Sequence, residues 1–424
     1  MKPDHLSDTT FASLNLHPRL LSALNKMGYV NCTPIQAACL PKALAGQDIA
    51  GQAQTGTGKT AAFLLATMQH LLTHPPRSPE GAVAPGAFIL APTRELAVQI
   101  YEDAKLLGAD SGLSMTVCYG GAGYDSQRKE IENGVDILIG TPGRLIDFYK
   151  QKLYTLAHVE VMVLDEADRM FDLGFIDDIR YLLKKMPPPS ERKSHLFSAT
   201  LSHRVLELAF EHMNNAEKIE IEPEQVTAER VKQQMVHVSN RDKLPLLVGL
   251  LRKLEATRTM VFVNTKRGCE IVERGLIKNG FHAATLSGDV AQSRRLKLLQ
   301  EFKDGTLPVL VATDVAARGL HITGVSHVIN YDLPQEAPDY VHRIGRTARA
   351  GAQGDAISFC CESFVYSLPA IETYIGMKIP PLAESVEELK PADFMAPERL
   401  PRREEHKGAR HHNRSRSGPP TRRH

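Results

Sequence analysis

The sequence predicts an α/β protein built from two tandem domains, each a parallel sheet flanked by helices. Three observations point there. The chain of 424 residues exceeds what one hydrophobic core usually serves. Short runs rich in Val, Ile and Leu alternate with helix-like stretches in both halves, as strands buried on both faces require. Most of those runs stop at a small, polar or charged cluster, and parallel sheets bind ligands beyond the carboxyl ends of their strands.

In the first half the runs include AFIL before APTREL, DILIG before TPGR, VMVL before DEAD and HLF before SAT. In the second they include TMVFV before NTKRG, PVLV before ATD and HVINY before DLP. A charged stretch without apolar periodicity, IEPEQVTAERVK, separates the halves. The expected layout is a first domain over 1–222, a linker over 223–232, a second domain over 233–379 and a tail over 380–424. Thr73 to Pro85, with four prolines, reads as a surface loop. Beyond Arg399 the composition is that of a disordered segment.

Hydrophobic residues at 42% and charged residues at 24% are ordinary for a soluble globular protein. No apolar run reaches the roughly 18–20 residues that span a bilayer. The polar Met1 to Thr10 stretch lacks a signal-peptide core, so a cytoplasmic location is expected. Six cysteines, Cys32, Cys39, Cys118, Cys269, Cys360 and Cys361, lack C-x-x-C spacing and read as buried reduced thiols. The net charge of +2 is uneven: Arg399 to His424 carries +7 and the rest −5. Any nucleic-acid site in the body is therefore a local groove.

Three clusters carry chemistry. AQTGTGKT, Ala53 to Thr60, is a glycine-bearing loop ahead of a helix, whose backbone N–H groups can point at phosphates. Lys59 would neutralise the β and γ phosphates and the Thr60 hydroxyl would ligate Mg²⁺. Ala53 stands where such loops usually open with Gly. Asp165-Glu166-Ala167-Asp168 leaves VMVL directly. Acidic groups there need a partner, and a metal ion with an attacking water supplies one: Asp165 for Mg²⁺, Glu166 for the water. Arg343, Arg346 and Arg349 in HRIGRTAR offer fixed donors for charge growing on a γ-phosphate. The second half has no phosphate loop of its own and reads as the partner completing the first half's site.

These strings, with GYVNCTPIQ, PTRELA, GG, SAT, VFVNTK, SGD and ATDVAARGL in order over about residues 9 to 378, resemble the DEAD-box RNA helicases of superfamily 2. Within that family ATDVAARGLHI, MNNAEKIEIEPEQ and LPAIETYIG resemble the bacterial helicases of the RNA degradosome. The resemblance implies RecA-like domains, ATP and Mg²⁺ as cofactors, and RNA as partner. It also implies an endoribonuclease-based degradosome as a further partner, and ATP-driven, sequence-independent unwinding of RNA that supports RNA degradation.

It implies residue roles as well. Gln36, in an adenine-recognition segment over about 9–37, reads the base edge and Phe11 stacks on the ring. Ala53, Gln54, Thr55, Gly56, Thr57, Gly58, Lys59 and Thr60 hold the phosphates. Ser198 and Thr200 link hydrolysis to unwinding. Arg343 and Arg346 reach the γ-phosphate, and Arg349 braces the domain interface. Thr93, Arg94, Gly121, Thr141 and Arg144 in the first domain, with Lys266, Gly288 and Thr313 in the second, track a sugar–phosphate backbone. No interleaved aromatics of the kind that stack bases accompany them. Two positions depart from the family: His321 stands where an acidic residue holds the ATP ribose, and Ala348 replaces a Gly. A DNA translocase and a non-enzymatic RNA scaffold are the competing readings. The adenine-recognition segment with the DEAD spelling opposes the first, and the complete catalytic set opposes the second.

Overall fold

The computed structural model describes residues 6–53, 56–74, 82–121, 123–221, 231–254, 257–288, 290–317, 324–347 and 354–398. Seven strands form the first sheet: β1 (Ile49–Gln52), β2 (Ala87–Leu90), β3 (Met115–Cys118), β4 (Ile137–Gly140), β5 (Val161–Leu164), β6 (Lys193–Ser198) and β7 (Glu217–Glu220). They lie in the order β3-β4-β2-β5-β6-β1-β7, and every neighbouring pair is parallel. Six more form the second sheet: β8 (Val231–His237), β9 (Thr259–Phe262), β10 (Ala283–Leu286), β11 (Val309–Ala312), β12 (His327–Asn330) and β13 (Gly354–Cys360). Their order is β10-β11-β9-β12-β13-β8, again all parallel.

The apolar runs are continuous because both faces are covered. Ala87 and Ile89 of β2 enter one core, and Phe88 and Leu90 enter the other. Val161 and Val163 of β5 divide from Met162 and Leu164 in the same way. In the second domain Met260 and Phe262 of β9 face one side, and Val261 faces the other. Each such side chain contributes about 1.5–3 kcal/mol on full burial. All six cysteines are buried and free, and among the described residues no helix is long and apolar enough to cross a membrane.

Three expectations are corrected. Val231 and Lys232, placed in the linker from sequence, open β8. Ala84 and Pro85, at the end of the expected surface loop, are buried, while residues 75–81 of that loop lie outside the described residues. Residues 380–398, assigned to a disordered tail, are docked. Pro380 accepts the Met235 N–H at 2.9 Å, and the Leu382 N–H donates to the Met235 carbonyl at 2.6 Å. The short helix Val386–Leu389 rests on the helix Lys243–Lys253. Few apolar residues suffice because Leu382, Val386, Leu389 and Phe394 all meet one core. Ion pairs Arg252–Asp393 and Lys253–Glu384, each 2.6 Å, flank them. The segment from Arg399 to His424 lies outside the described residues.

A Cβ on Gly249 would fall 1.6 Å from the Leu389 carbonyl oxygen, so helix and strap touch backbone to backbone. Gly249→Ala is expected to undock residues 380–398, at a cost of about 1–3 kcal/mol. Hydrogen exchange should then quicken in the strap and leave β1–β7 as before. Unchanged protection of the strap would contradict this account.

Candidate active site and nucleic-acid groove

β1 ends at Gln52, and the chain turns into the helix Lys59–Thr73. Gly58 sits at φ 92°, and a Cβ there would lie 2.5 Å from Gln36 Nε2. Only glycine meets both demands. Lys59 is buried and donates Nζ–H to the Ala53 carbonyl at 2.6 Å. Gln36 joins two elements. Its Oε1 accepts the Thr33 N–H at 2.8 Å, at the head of its own helix Pro34–Leu44, and its Nε2 donates to the Gly58 carbonyl at 3.1 Å. Gln54 and Thr55 lie outside the described residues.

β5 delivers Asp165 and Glu166 beside this loop. Burial pushes the Asp165 carboxyl up to about 7, with the Lys59 charge opposing and the Glu166 charge reinforcing. Glu166 takes the left-handed backbone, φ 50°, at the head of the helix Ala167–Asp172. That conformation costs on the order of 1–3 kcal/mol in a non-glycine residue. Its Oε2 is buried with no hydrogen-bond partner. Asp168 ties this element to β6: it donates its N–H to Ser198 Oγ at 3.2 Å, and its Oδ2 accepts the Thr200 N–H and hydroxyl at 3.1 and 3.2 Å.

Phe11, Gln36, Gly56, Gly58, Lys59, Thr60, Asp165 and Glu166 line one cleft of about 870 Å³. Phe11 is 3% exposed, so it serves the core as well as the cleft wall. Ala53 and Thr57 belong to the loop beside that cleft. The Asp165 carboxylate and the Thr60 hydroxyl are hard-oxygen groups of the kind Mg²⁺ takes, and the Glu166 oxygen without a partner lies beside them.

The second domain meets the first at its helix Gln292–Lys303. Arg295 pairs with Glu95 at 2.5 Å, and Gln292 donates to the same carboxylate at 3.0 Å. Arg94 Nη1 reaches Gln292 Oε1 at 3.4 Å, and Arg169, next to Asp168, reaches the Val315 carbonyl at 3.3 Å.

The expected RNA residues gather on two stretches of strand ends. Thr93 caps the helix Arg94–Leu107 by accepting the Leu96 N–H at 3.3 Å. The Arg94 guanidinium lies over Gly121, where a Cβ would come within 2.4 Å of Nη1. Thr141 heads the helix Pro142–Lys150, which carries Arg144. In the second domain Lys266 lies near Gly288, 3.7 Å from a Cβ placed there, and Thr313 Oγ1 accepts the Ala316 N–H at 3.3 Å. The sheet order sorts these groups. β3, β4 and β2, adjacent in the first sheet, precede the RNA candidates, and β5, β6 and β1 precede the phosphate-loop, acidic and SAT groups. β10, β11 and β9, adjacent in the second sheet, precede Gly288, Thr313 and Lys266.

Comparison with known proteins agrees with this layout. The DEAD/DEAH box helicase family profile matches residues 33–209, and the helicase conserved C-terminal domain matches 242–351. The ATP-dependent RNA helicase RhlB of Pectobacterium carotovorum is 55% identical over 95% of this chain and 93% of its own. The chain belongs to the DEAD/DEAH box helicase family. RhlB of Escherichia coli is 56% identical over 90% of each chain. Dbp5 of S. cerevisiae bound to RNA and ADP BeF3 superposes with a TM-score of 0.75 at 32% identity, over 88% of this chain and 95% of that one. Mss116p bound to single-stranded RNA and AMP-PNP gives 0.79 at 29% identity, over 92% and 82%.

In this DEAD-box helicase Arg343 is engaged within its own domain. Arg343 is 1% exposed, and all five of its N–H groups are used inside its own domain. Nε and Nη2 grip Asp314 at 2.6 Å each. Nη1 reaches the Asp332 carbonyl at 2.5 Å and Asn330 at 3.4 Å, and Nη2 also meets Asn264 at 2.8 Å. In this arrangement each of its N–H groups has an acceptor. Arg346, 5% exposed, donates Nε–H to the His342 carbonyl at 3.3 Å. His321, Ala348 and Arg349 lie outside the described residues. Sequence reasoning also missed Glu95, Asp168, Gln292 and Arg295. Glu95 and Asp168 were within quoted motifs, but nothing in the strings indicates which residues they bond.

Asp165 supplies a pH test in the metal- and nucleotide-free protein. Its folded pKa, about 7, lies above the unfolded value near 3.9. Its neutral form thus favours folding below the unfolded pKa, and that advantage is lost as pH rises through about 7. Asp165→Asn should match the parent in stability near pH 4 and exceed it by about 1–4 kcal/mol at pH 8. Urea unfolding with a chelator present measures the difference, and a gap independent of pH would contradict the assignment.

Proposed function

We propose that this chain is an ATP-dependent RNA helicase, in which RNA-stimulated hydrolysis of ATP to ADP and phosphate drives local, sequence-independent separation of RNA strands. The sorting of strand ends carries the reading: nucleotide chemistry and backbone-tracking groups occupy adjacent halves of one sheet edge. The names of the relatives, ATP-dependent RNA helicase RhlB, support it. The resemblance to degradosome helicases extends it to RNA degradation in the cytoplasm, with an endoribonuclease-based assembly as partner.

Gln36 retains a second N–H and a second lone pair for the adenine edge beyond its two internal bonds, and Phe11 flanks the ring. The loop from Ala53 to Thr60, with Lys59, takes the phosphates. Thr60 and Asp165 would hold Mg²⁺, which neutralises phosphate charge when bound. Glu166 accepts the proton of the attacking water. Because Asp314 already engages Arg343, we assign the γ-phosphate contact from the second domain to Arg346. Asp168 passes changes at the acidic strand end to Ser198 and Thr200. ATP and a single strand would each bridge the domains, and the bent strand so bound no longer fits a duplex. Hydrolysis and phosphate loss reopen the domains.

Glu166→Gln keeps size and removes the base, so ATP and RNA should bind while turnover falls at least ~10²-fold. Near-normal turnover would sink the reading, and equal stimulation by DNA and RNA would favour a DNA translocase. The two arginines should separate. Arg346→Ala should lower RNA-saturated turnover by ~10³-fold or more with little change in melting temperature. Arg343→Ala should cost about 3–5 kcal/mol of second-domain stability by stranding Asp314. A stable Arg343→Ala protein that has lost only turnover would restore Arg343 to the phosphate.

A further inference from the structure

Arg144 is held from three sides. Its guanidinium lies 4.8 Å from the centre of the Tyr124 ring and 5.2 Å from that of Phe148. Those two rings meet edge to face at 5.1 Å. Its Nη1 donates to Gln127 Oε1 at 2.8 Å. Gln127 is itself 6% exposed and fixed: Oε1 accepts the Tyr119 N–H at 3.1 Å, and Nε2 donates to the Tyr119 carbonyl at 3.3 Å. The amide has only one workable orientation, since its oxygen faces two donors and its nitrogen an acceptor. Tyr119 directly precedes Gly120 and Gly121, over which the other groove arginine, Arg94, is laid.

We propose that Gln127, assisted by the Tyr124 and Phe148 rings, is a positioning residue that holds Arg144 ready for an RNA phosphate. The proposal rests on the RNA-groove reading above. A free arginine gives up about 2 kcal/mol of rotamer freedom when it is ordered. Here that ordering precedes the ligand. The two rings, in contact with each other, lie together on one side of the guanidinium and Gln127 takes one N–H, which leaves the remaining donors for phosphate oxygens. Two bonds to Tyr119, the residue after β3, fasten the helix Tyr124–Glu132 there. The third bond, to Arg144, serves the groove. The aromatics absent from the RNA motifs in sequence are thus supplied in space, beneath an arginine rather than beneath a base.

A double-mutant cycle tests this with a single-stranded oligouridylate RNA, its affinity read by fluorescence anisotropy over a salt series. Arg144→Ala should weaken binding ~5–20-fold and reduce the salt slope by about 0.7, one phosphate contact on a single strand. Gln127→Leu should weaken binding ~3–10-fold with a reduced slope, and should add nothing in the Arg144→Ala background. Gln127→Glu captures Arg144 as an ion pair and should bind RNA more weakly than Gln127→Leu. Tyr124→Leu leaves the Tyr119 bonds in place, so it keeps the test open should Gln127→Leu fail to melt like the parent. It should cost ~2–4-fold and also be silent without Arg144. Parent-like RNA affinity for Gln127→Leu, or losses that add to those of Arg144→Ala, would overturn the proposal. An Arg144→Ala protein that binds RNA like the parent would instead overturn the groove reading itself.

Discussion

Helices cover both faces of both sheets, so the middle of each strand is filled by side chains that pack into one core or the other. Groups meant for charged ligands are left to the carboxyl ends, where the chain leaves the layer. Asp165 shows how tight this restriction is. It follows the four buried residues of β5, and burial pushes its carboxyl up to about 7 even with Lys59 nearby. Glu166 pays for the same position in backbone strain, φ 50°, and with an oxygen that has no partner. Sites that ask this much of folding are where ligand chemistry is expected.

Strand order turns the restriction into an arrangement. β5 lies between β2 and β6, so the acidic end of β5 separates the end that leads to Arg94 from the end that leads to Ser198. Asp168 bonds Ser198 and Thr200 directly. Arg169, the next residue, contacts the second domain at Val315. One short helix thus touches the nucleotide cleft, the SAT element and the partner domain. Glu95, one residue beyond Arg94, pairs with Arg295 across the same interface at 10% and 12% side-chain exposure. A pair so shielded is screened far less by salt than a surface pair.

The sequence made the strands with uniformly apolar faces legible, AFIL, VMVL and PVLV among them, because burial on both sides leaves an unbroken pattern. It made β7 illegible, since EKIE buries Ile219 alone. β8 was cut short because its first two residues, Val231 and Lys232, close the charged stretch IEPEQVTAERVK, though β8 pairs with β13 along its length. The strap after Pro380 was missed because its core-facing residues, Leu382, Val386, Leu389 and Phe394, are spaced among charges and resemble a tail until the surface of the helix Lys243–Lys253 is in place. The phosphate loop and acidic strand end were readable as local strings. Gln127 was not. Its value lies in a bond to Arg144, seventeen positions away, that only folding creates.

Spacing alone could not distinguish Arg343 from Arg346; the bonds of Arg343 set it apart. Lys243 pairs with Asp332, whose backbone carbonyl accepts from Arg343, which in turn grips Asp314. Charges of alternating sign therefore run along the carboxyl edge of the second sheet, past the ends of β12 and β11. Asp314 opens the short helix Asp314–Ala317, and the carbonyls of Val315 and Ala316 within it accept from Arg169 and Arg295. Arg295 in turn pairs with Glu95 of the first domain. Breaking a buried chain of this kind strands a charge at a cost of several kcal/mol, so its members are held in one arrangement. Arg343 thereby fixes, through Asp314, the short helix whose carbonyls meet Arg169 and Arg295.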